Sequence, residues 1–273
     1  METPQNGIRK RDEMALLDII YEDLELLVLH KPADLVCHPT KGDEYSSLIS
    51  RARIYLHSHA SDQERIAPLP YLIHRLDRET SGLVLMAKNA VAARELGKIW
   101  ESRGVRKEYL AIVHGWVKSD HGLIDAPLGR DETSRVAIKD CVRPDGHPAQ
   151  TAYFVEKRFA RIVKTQSPCG ASDTSRFSVL RLEPRTGRKH QIRIHLAHLG
   201  HPIVGDKLYG GDPDLYLALV ERRLTPEQRA RLILPQHALH ASRLQFEWRG
   251  RNWEFTAPPA PALAGFISAA THT

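Results

Sequence analysis

The stretch His74-Arg75-Leu76-Asp77-Arg78-Glu79-Thr80-Ser81-Gly82 stands between two apolar runs, Leu69-Pro70-Tyr71-Leu72-Ile73 before it and Leu83-Val84-Leu85-Met86-Ala87 after it. The second run reads as a strand, so the charged residues form a loop held on rigid elements, where sites tend to be placed. Asp77 lies between Arg75 and Arg78, and cations nearby favour its ionised form. An ionised carboxylate on a tight loop can act as a nucleophile. The plainer reading has Asp77 and Thr80 hydrogen-bonding the backbone of a turn that ends at Gly82. Taken without context, the segment leaves both readings open.

On the N-terminal side, Leu16 to Tyr21 and Leu24 to His30 read as two strands around Glu22-Asp23, a hairpin. Lys31-Pro32 ends the second strand, since proline cannot donate to a ladder. Ser46 to His59 is amphipathic and fits a helix. On the C-terminal side, Asn89 is a good N-cap for a helix over Ala90 to Glu101 with Val91, Leu96, Ile99 and Trp100 as its apolar side, and Gly104 is placed to stop it. A strand follows at Glu108 to Trp116, with Tyr109, Ala111 and Val113 on one face. Asp131 to His147 is rich in basic and turn residues, an exposed excursion suited to meeting an anionic partner. Strands read at Ala149 to Lys157 and Phe177 to Glu183, separated by a polar loop from Ser167 to Ser175. From His190 the pattern turns helical through Ile192, Leu196 and Leu199, with Gly200 as the C′ residue. Leu215 to Leu234 reads as helical, with Thr225-Pro226-Glu227 as an N-cap followed by proline. Strands at Leu239 to Trp248 and Asn252 to Thr256 flank Arg249-Gly250-Arg251, and a Pro/Ala tail closes the chain.

The 273 residues suffice for a sizeable core, as one large domain or two lobes around a cleft. A net charge of +6 and a pI near 9.3 favour a polyanionic partner. Three cysteines, Cys37, Cys141 and Cys169, stand far apart without a CxxC pair, which argues against a disulfide framework and suits a reducing cytosol. There is no apolar run of membrane-spanning length, no signal-peptide core, no Walker A loop, no GxGxxG and no HExxH. His195, His198 and His201 fall on neighbouring helical positions, but no cysteine or paired carboxylate joins them, so no metal is expected. His237 and His240 read as structural.

The opening stretch resembles the HRLDxxTSG signature of the RluA-type RNA pseudouridine synthases. Thr186-Gly187-Arg188-Lys189-His190-Gln191-Ile192-Arg193-Ile194-His195-Leu196 resembles a second signature of that family, and Pro202-Ile203-Val204-Gly205-Asp206-Lys207-Leu208-Tyr209-Gly210 completes it. Lys31 to Pro39 is similar to the family's KPxGLxxHP, departing at Asp34, where glycine is usual; aspartate tolerates left-handed backbone angles better than most residues. Gly122 to Arg130 is similar to GxIDxPIxR. The resemblance runs from about Ile19 to Pro261. It implies an α+β fold with a mixed, mainly antiparallel central sheet, flanking helices and a catalytic cleft in one domain over 16–261, between a flexible arm at 1–15 and a tail at 262–273. Many relatives carry an appended N-terminal RNA-binding domain, for which the short leader leaves no room.

The same resemblance implies an isomerase that turns uridine into pseudouridine in structured RNA, rRNA or tRNA, in the cytoplasm and without a nucleotide cofactor or metal. Asp77 is then the nucleophile, Arg193 its ion-pair partner, Tyr109 the ring that stacks on the uracil near its C5 proton, and Ile192 the apolar wall. Arg75 fills the space left by a flipped base, while Arg188, Lys189 and Lys107 contact phosphates. The competing reading is a non-catalytic RNA-binding or chaperone protein on the same fold, which the intact trio Asp77, Tyr109 and Arg193 disfavours. A glycoside hydrolase would need two carboxylates, and only Asp77 is well placed. Protein partners and oligomeric state are not legible.

Overall fold

The computed structural model describes residues 17–39, 46–59, 69–163 and 173–268. The arm expected at 1–15, Leu16, Cys169 and most of the loop expected from Ser167 to Ser175 lie outside the described residues. Strands β1 (Ile19–Glu22) and β2 (Leu26–Lys31) form the expected hairpin. The Asp23 carboxylate closes its turn by accepting the amides of Glu25 at 2.8 Å and Leu26 at 2.7 Å. Just past Pro32, Asp34 has φ of 75°, the left-handed conformation a glycine would otherwise supply. Helix α1 (Leu48–Ser58) begins at Ser47, whose hydroxyl accepts the Ser50 amide, and buries Leu48, Ala52 and Leu56 along one stripe.

Strands β3 (Tyr71–Leu72) and β4 (Ser81–Ala87) bracket the Asp77 loop. Every residue of β4 is buried, as a central strand requires. Asn89 caps α2 (Ala90–Glu101) by accepting the Ala92 amide at 2.9 Å, as its position in the sequence implied. The buried stripe of α2 runs through Ala92 and Leu96, whereas Val91, expected on that side, is 55 % exposed. One residue is about 100° of helix rotation, enough to turn Val91 out to solvent. Strand β5 (Val105–His114) starts earlier than expected and buries Ala111, Ile112 and Val113 in succession, so both of its faces are covered.

Next come β6 (His121–Asp125), β7 (Leu128–Arg130), β8 (Asp140–Val142), β9 (Gln150–Val163) and β10 (Asp173–Pro184). Strands β7 and β8 pair with each other and give the Asp131–His147 excursion its own small sheet. Helix α3 (Gln191–His198) ends before Gly200, whose φ of 84° fits the expected C′ role. The helical stretch expected from Leu215 to Leu234 is two helices, α4 (Asp214–Val220) and α5 (Pro226–Leu232). Arg222 at φ 57° turns the chain between them, and a capping box of Thr225 and Gln228 starts α5. Strands β11 (Leu239–Trp248) and β12 (Arg251–Thr256) are joined through Arg249 and Gly250, both at positive φ, as a tight hairpin turn demands.

The tail expected from 262 onward is corrected: helix α6 (Pro261–Ser268) places Leu263 and Phe266 in the largest apolar cluster. Proline at its first position and two anchors three residues apart suffice to dock a short helix, although alanine dilutes the signal in the sequence.

Among the described residues, ten strands form one sheet in the order β1-β2-β4-β11-β5-β10-β9-β6, with β12 on β11 and β3 on β4. All pairings are antiparallel except that of β11 with β4, giving the mixed, mainly antiparallel sheet expected. The β4–β11 crossing is tight: a Cβ on Gly82, which has φ of 113°, would stand 2.2 Å from the Ala241 carbonyl oxygen. Only glycine lets the strand after the Asp77 loop reach the sheet centre there. No helix among the described residues is long and apolar enough to cross a membrane.

Candidate active site

Contacts from several sides hold the Asp77 loop. His74 Nε2 accepts the Leu85 amide at 3.1 Å, and its ring stacks on Trp100 with centroids 4.5 Å apart. Thr80 Oγ1 shares a hydrogen bond with His237 Nε2 at 2.7 Å, and Ser81 Oγ another with His240 Nδ1 at 2.9 Å, tying the loop's exit to the start of β11. From beneath, the fully buried Lys31 donates to the carbonyls of Pro32, Leu35 and Arg78 at 2.7, 2.8 and 3.0 Å. Burial lowers the Lys31 pKa to about 8, so it remains an ammonium at neutral pH and can use all three protons.

On the opposite side, Gln191 organises the entry to α3. Its amide oxygen accepts from Thr186 Oγ1 at 2.7 Å and the Arg188 amide at 3.0 Å, and its nitrogen donates to the Gln150 carbonyl at 2.9 Å. Two residues on, Arg193 Nη1 donates to Asp77 Oδ2 at 3.0 Å, which is the ion pair the second signature implied. Arg193 Nε and Nη2 form a two-pronged bond with Asp206, at 2.7 and 2.9 Å. Asp206, fully buried, also accepts the amides of Leu208 and Tyr209. One guanidinium thus joins two carboxylates, but only Asp77, with a side chain 31 % exposed, reaches open space.

Burial pulls the Asp77 pKa up, yet the neighbouring basic groups and the Arg193 hydrogen bond together outweigh it, with the Arg193 charge the strongest of these, and the net shift is downward. His190 and His237 face the same carboxylate, but burial pushes their own pKa values to about 4 and about 3. Both are neutral at pH 7, so Arg193 carries the attraction that keeps Asp77 ionised.

A cavity of about 110 Å³ lies in front of Asp77. Tyr109, Ile192, Arg193, Arg75, Lys107 and Arg188 line it, so all but one of the residues singled out in the sequence converge on one space. The exception is Lys189, whose ammonium lies 3.0 Å from Asp140 on β8 and not on the cavity wall. Asp77 is the sole carboxylate among the described residues lining it. Burial, reinforced by the Asp77 charge, pushes the Tyr109 phenol up, so it is a neutral phenol in the resting site.

Sequence reasoning gave no role to Asp206, His190 or Lys31. Asp206 stands in the Pro202–Gly210 block, but only the folded chain shows that it grips Arg193. His195 is a core residue: Nδ1 meets Thr151 Oγ1 at 2.9 Å and Nε2 the Ala126 carbonyl at 3.0 Å.

The buried histidines make stability depend on acid. His237 and His240 have pKa values lowered by burial to about 3 and about 4, and His190 to about 4, all below the ordinary value near 6.5. The unfolded chain therefore binds more protons than the native one in this window, and stability present above pH 6.5 is lost as pH falls towards 4. At pH 5 each histidine withdraws about 2 kcal/mol. Urea unfolding at pH 7.5, 6 and 5 should show midpoints dropping steeply below 6.5; a constant midpoint would contradict the burial of these rings.

Residues 25–198 match the family described as RNA pseudouridylate synthase. A Haemophilus ducreyi protein named ribosomal large subunit pseudouridine synthase D is 34% identical over 263 residues, covering 96% of this chain and 72% of that protein. Its namesake from Vibrio cholerae is 36% identical over 244 residues, covering 89% of this chain and 67% of that protein. Among solved structures, human RNA pseudouridylate synthase domain containing 1 superposes with a TM-score of 0.68 at 25% identity, covering 94% of this chain and 89% of the human one.

Proposed function

This chain belongs to the RNA pseudouridylate synthase family, isomerases that turn uridine into pseudouridine in RNA, and we propose that it acts in the cytoplasm on a uridine of large-subunit ribosomal RNA with Asp77 as nucleophile. The names of its bacterial relatives support the ribosomal target. One observation carries the assignment of Asp77: it is the sole carboxylate lining the cavity among the described residues, it is held ionised, and only one of its oxygens is bonded to Arg193.

The reaction breaks the C1′–N1 bond, turns the uracil, and joins C1′ to C5; a proton leaves C5 and another arrives at N1, so nothing is oxidised and no co-substrate is consumed. The uridine must be flipped out of its stack to reach a cavity this deep, at a cost of a few kcal/mol. Ile192, 7 % exposed, offers the base an apolar wall, and the Tyr109 ring a surface to stack on. Arg75, exposed at the mouth, is placed to fill the vacated stack. Because the Tyr109 phenol is neutral, its oxygen can take the C5 proton only as its own O–H proton passes on, and N1, which must gain a proton, is the acceptor that balances this relay.

Large-subunit rRNA labelled with [5-³H]uridine should release tritium on incubation with the protein. Absence of release from this RNA and from total tRNA alike would overturn the reading. Tyr109→Phe keeps the ring and removes the relay oxygen; kcat should fall about 100-fold, the low end of general acid–base contributions, with RNA affinity unchanged. An unaltered kcat would confine Tyr109 to stacking.

A further inference from the structure

The catalytic cavity opens into a trough of about 860 Å³ between the end of α2 and the segment joining β10 to α3. Arg75, Arg103, Arg106, Lys107, Arg185 and Arg188 line it, against the carboxylates of Glu101 and Glu183. Glu183 is already engaged by Arg106 at 3.1 Å and by Arg181. Arg75, Arg103 and Arg185 are exposed and make no ion pair among the described residues. Lys107 belongs to the walls of both spaces, and burial together with the Arg103 charge pushes its pKa down. Cations crowded around a concave surface, unmatched by carboxylates, form a seat for a polyanion.

Arg103 is informative for a second reason. It ends α2 in a Schellman motif: its amide donates to the Trp100 carbonyl at 3.2 Å and the Gly104 amide to that of Ile99 at 2.8 Å. Its φ is 61°, in the left-handed region where glycine is the usual occupant of this position. The positive charge suits the C-terminal end of the helix dipole, but the left-handed backbone disfavours any side chain there, and this one sets a guanidinium on the trough wall.

We propose that this trough seats the single-stranded RNA adjoining the target uridine, with Arg103 and Arg185 holding phosphates from the two segments that form its walls. The inference rests on the pseudouridine synthase reading but is tested apart from it, by binding rather than turnover. The probe is a fluorescein-labelled dodecauridylate titrated with the full chain at several salt concentrations. Arg103→Glu and Arg185→Glu should each weaken binding about tenfold, and the alanine variants should each lower the salt slope by about 0.7. Lys118→Glu, an exposed residue past the far end of β5, controls for net charge and should change affinity less than about twofold.

Arg103→Gly separates binding from structure: it should raise the melting temperature by about 2–4 °C while still weakening the probe. A purely structural arginine would not move the two readouts in opposite directions. Trough variants indistinguishable from Lys118→Glu would overturn the proposal, and so would failure of the wild-type protein to bind the dodecauridylate. Tritium release from rRNA would stand or fall independently of either result.

Discussion

Asp77→Asn should stop tritium release while leaving fold and RNA binding in place. The substitution keeps the size and planarity of the side chain but removes the negative charge, and with it the nucleophile. Turnover should fall by on the order of 10⁴ or more, the scale at which losing a nucleophile usually registers. Stability should hardly change. Arg193 keeps its two-pronged bond to Asp206 after the exchange, so no buried cation is stranded. Asp77 is also the more exposed of the two carboxylates, which limits the cost of losing its charge. Filter binding of rRNA and a urea melt should match wild type within measurement, and tritium release should be the one reading that collapses. If the variant turns over within about a hundredfold of wild type, Asp77 is not the nucleophile.

That prediction was reachable from the sequence because the chemistry-bearing residues sit in contiguous blocks. Asp77 and Arg193 each stand inside a run of matching positions, and Tyr109 lies on a strand whose alternation could be read directly. Local rules located the ends of elements equally well: Asn89 caps α2, and Thr225 with Pro226 starts α5. What escaped was set by distance. Asp206 grips Arg193, yet nothing in the order of residues says that this carboxylate, and not Asp77 alone, balances the guanidinium. Lys31 looks like the last residue of a strand, but its ammonium ends among three carbonyls, one of them at Arg78 in the catalytic loop.

Lys189 reads as a phosphate contact in the sequence, and a charge read along a chain carries no record of the carboxylate that folding brings to it, here Asp140. The same limit hid α6. Two apolar residues in a proline- and alanine-rich end are a weak pattern until the cluster around Phe159 and Phe177 is there to receive them.

Asp206→Ala should cost the most stability of any single change at the site, about 3–5 kcal/mol, the usual loss when one partner of a buried pair is removed. Three losses coincide. The guanidinium forfeits its two-pronged partner, the amides of Leu208 and Tyr209 lose their acceptor, and the space left is fully buried. For a domain whose total stability lies in the range of about 5–15 kcal/mol, that is a fifth of the whole or more. Asp77 cannot compensate, because its contact with Arg193 is a single bond through Nη1 and the site is built to aim its carboxylate at the cavity.

Turnover should fall too, since an Arg193 freed from Asp206 no longer holds Asp77 in one orientation. Asp206→Asn divides these effects: its remaining oxygen can still accept the two amides, so it should recover part of the lost stability without restoring the negative charge that balances Arg193. Urea midpoints in the order wild type, Asn, Ala are the expected result. An alanine variant that melts with wild type would mean that Arg193 is supported from elsewhere and that the double carboxylate grip is incidental to the fold.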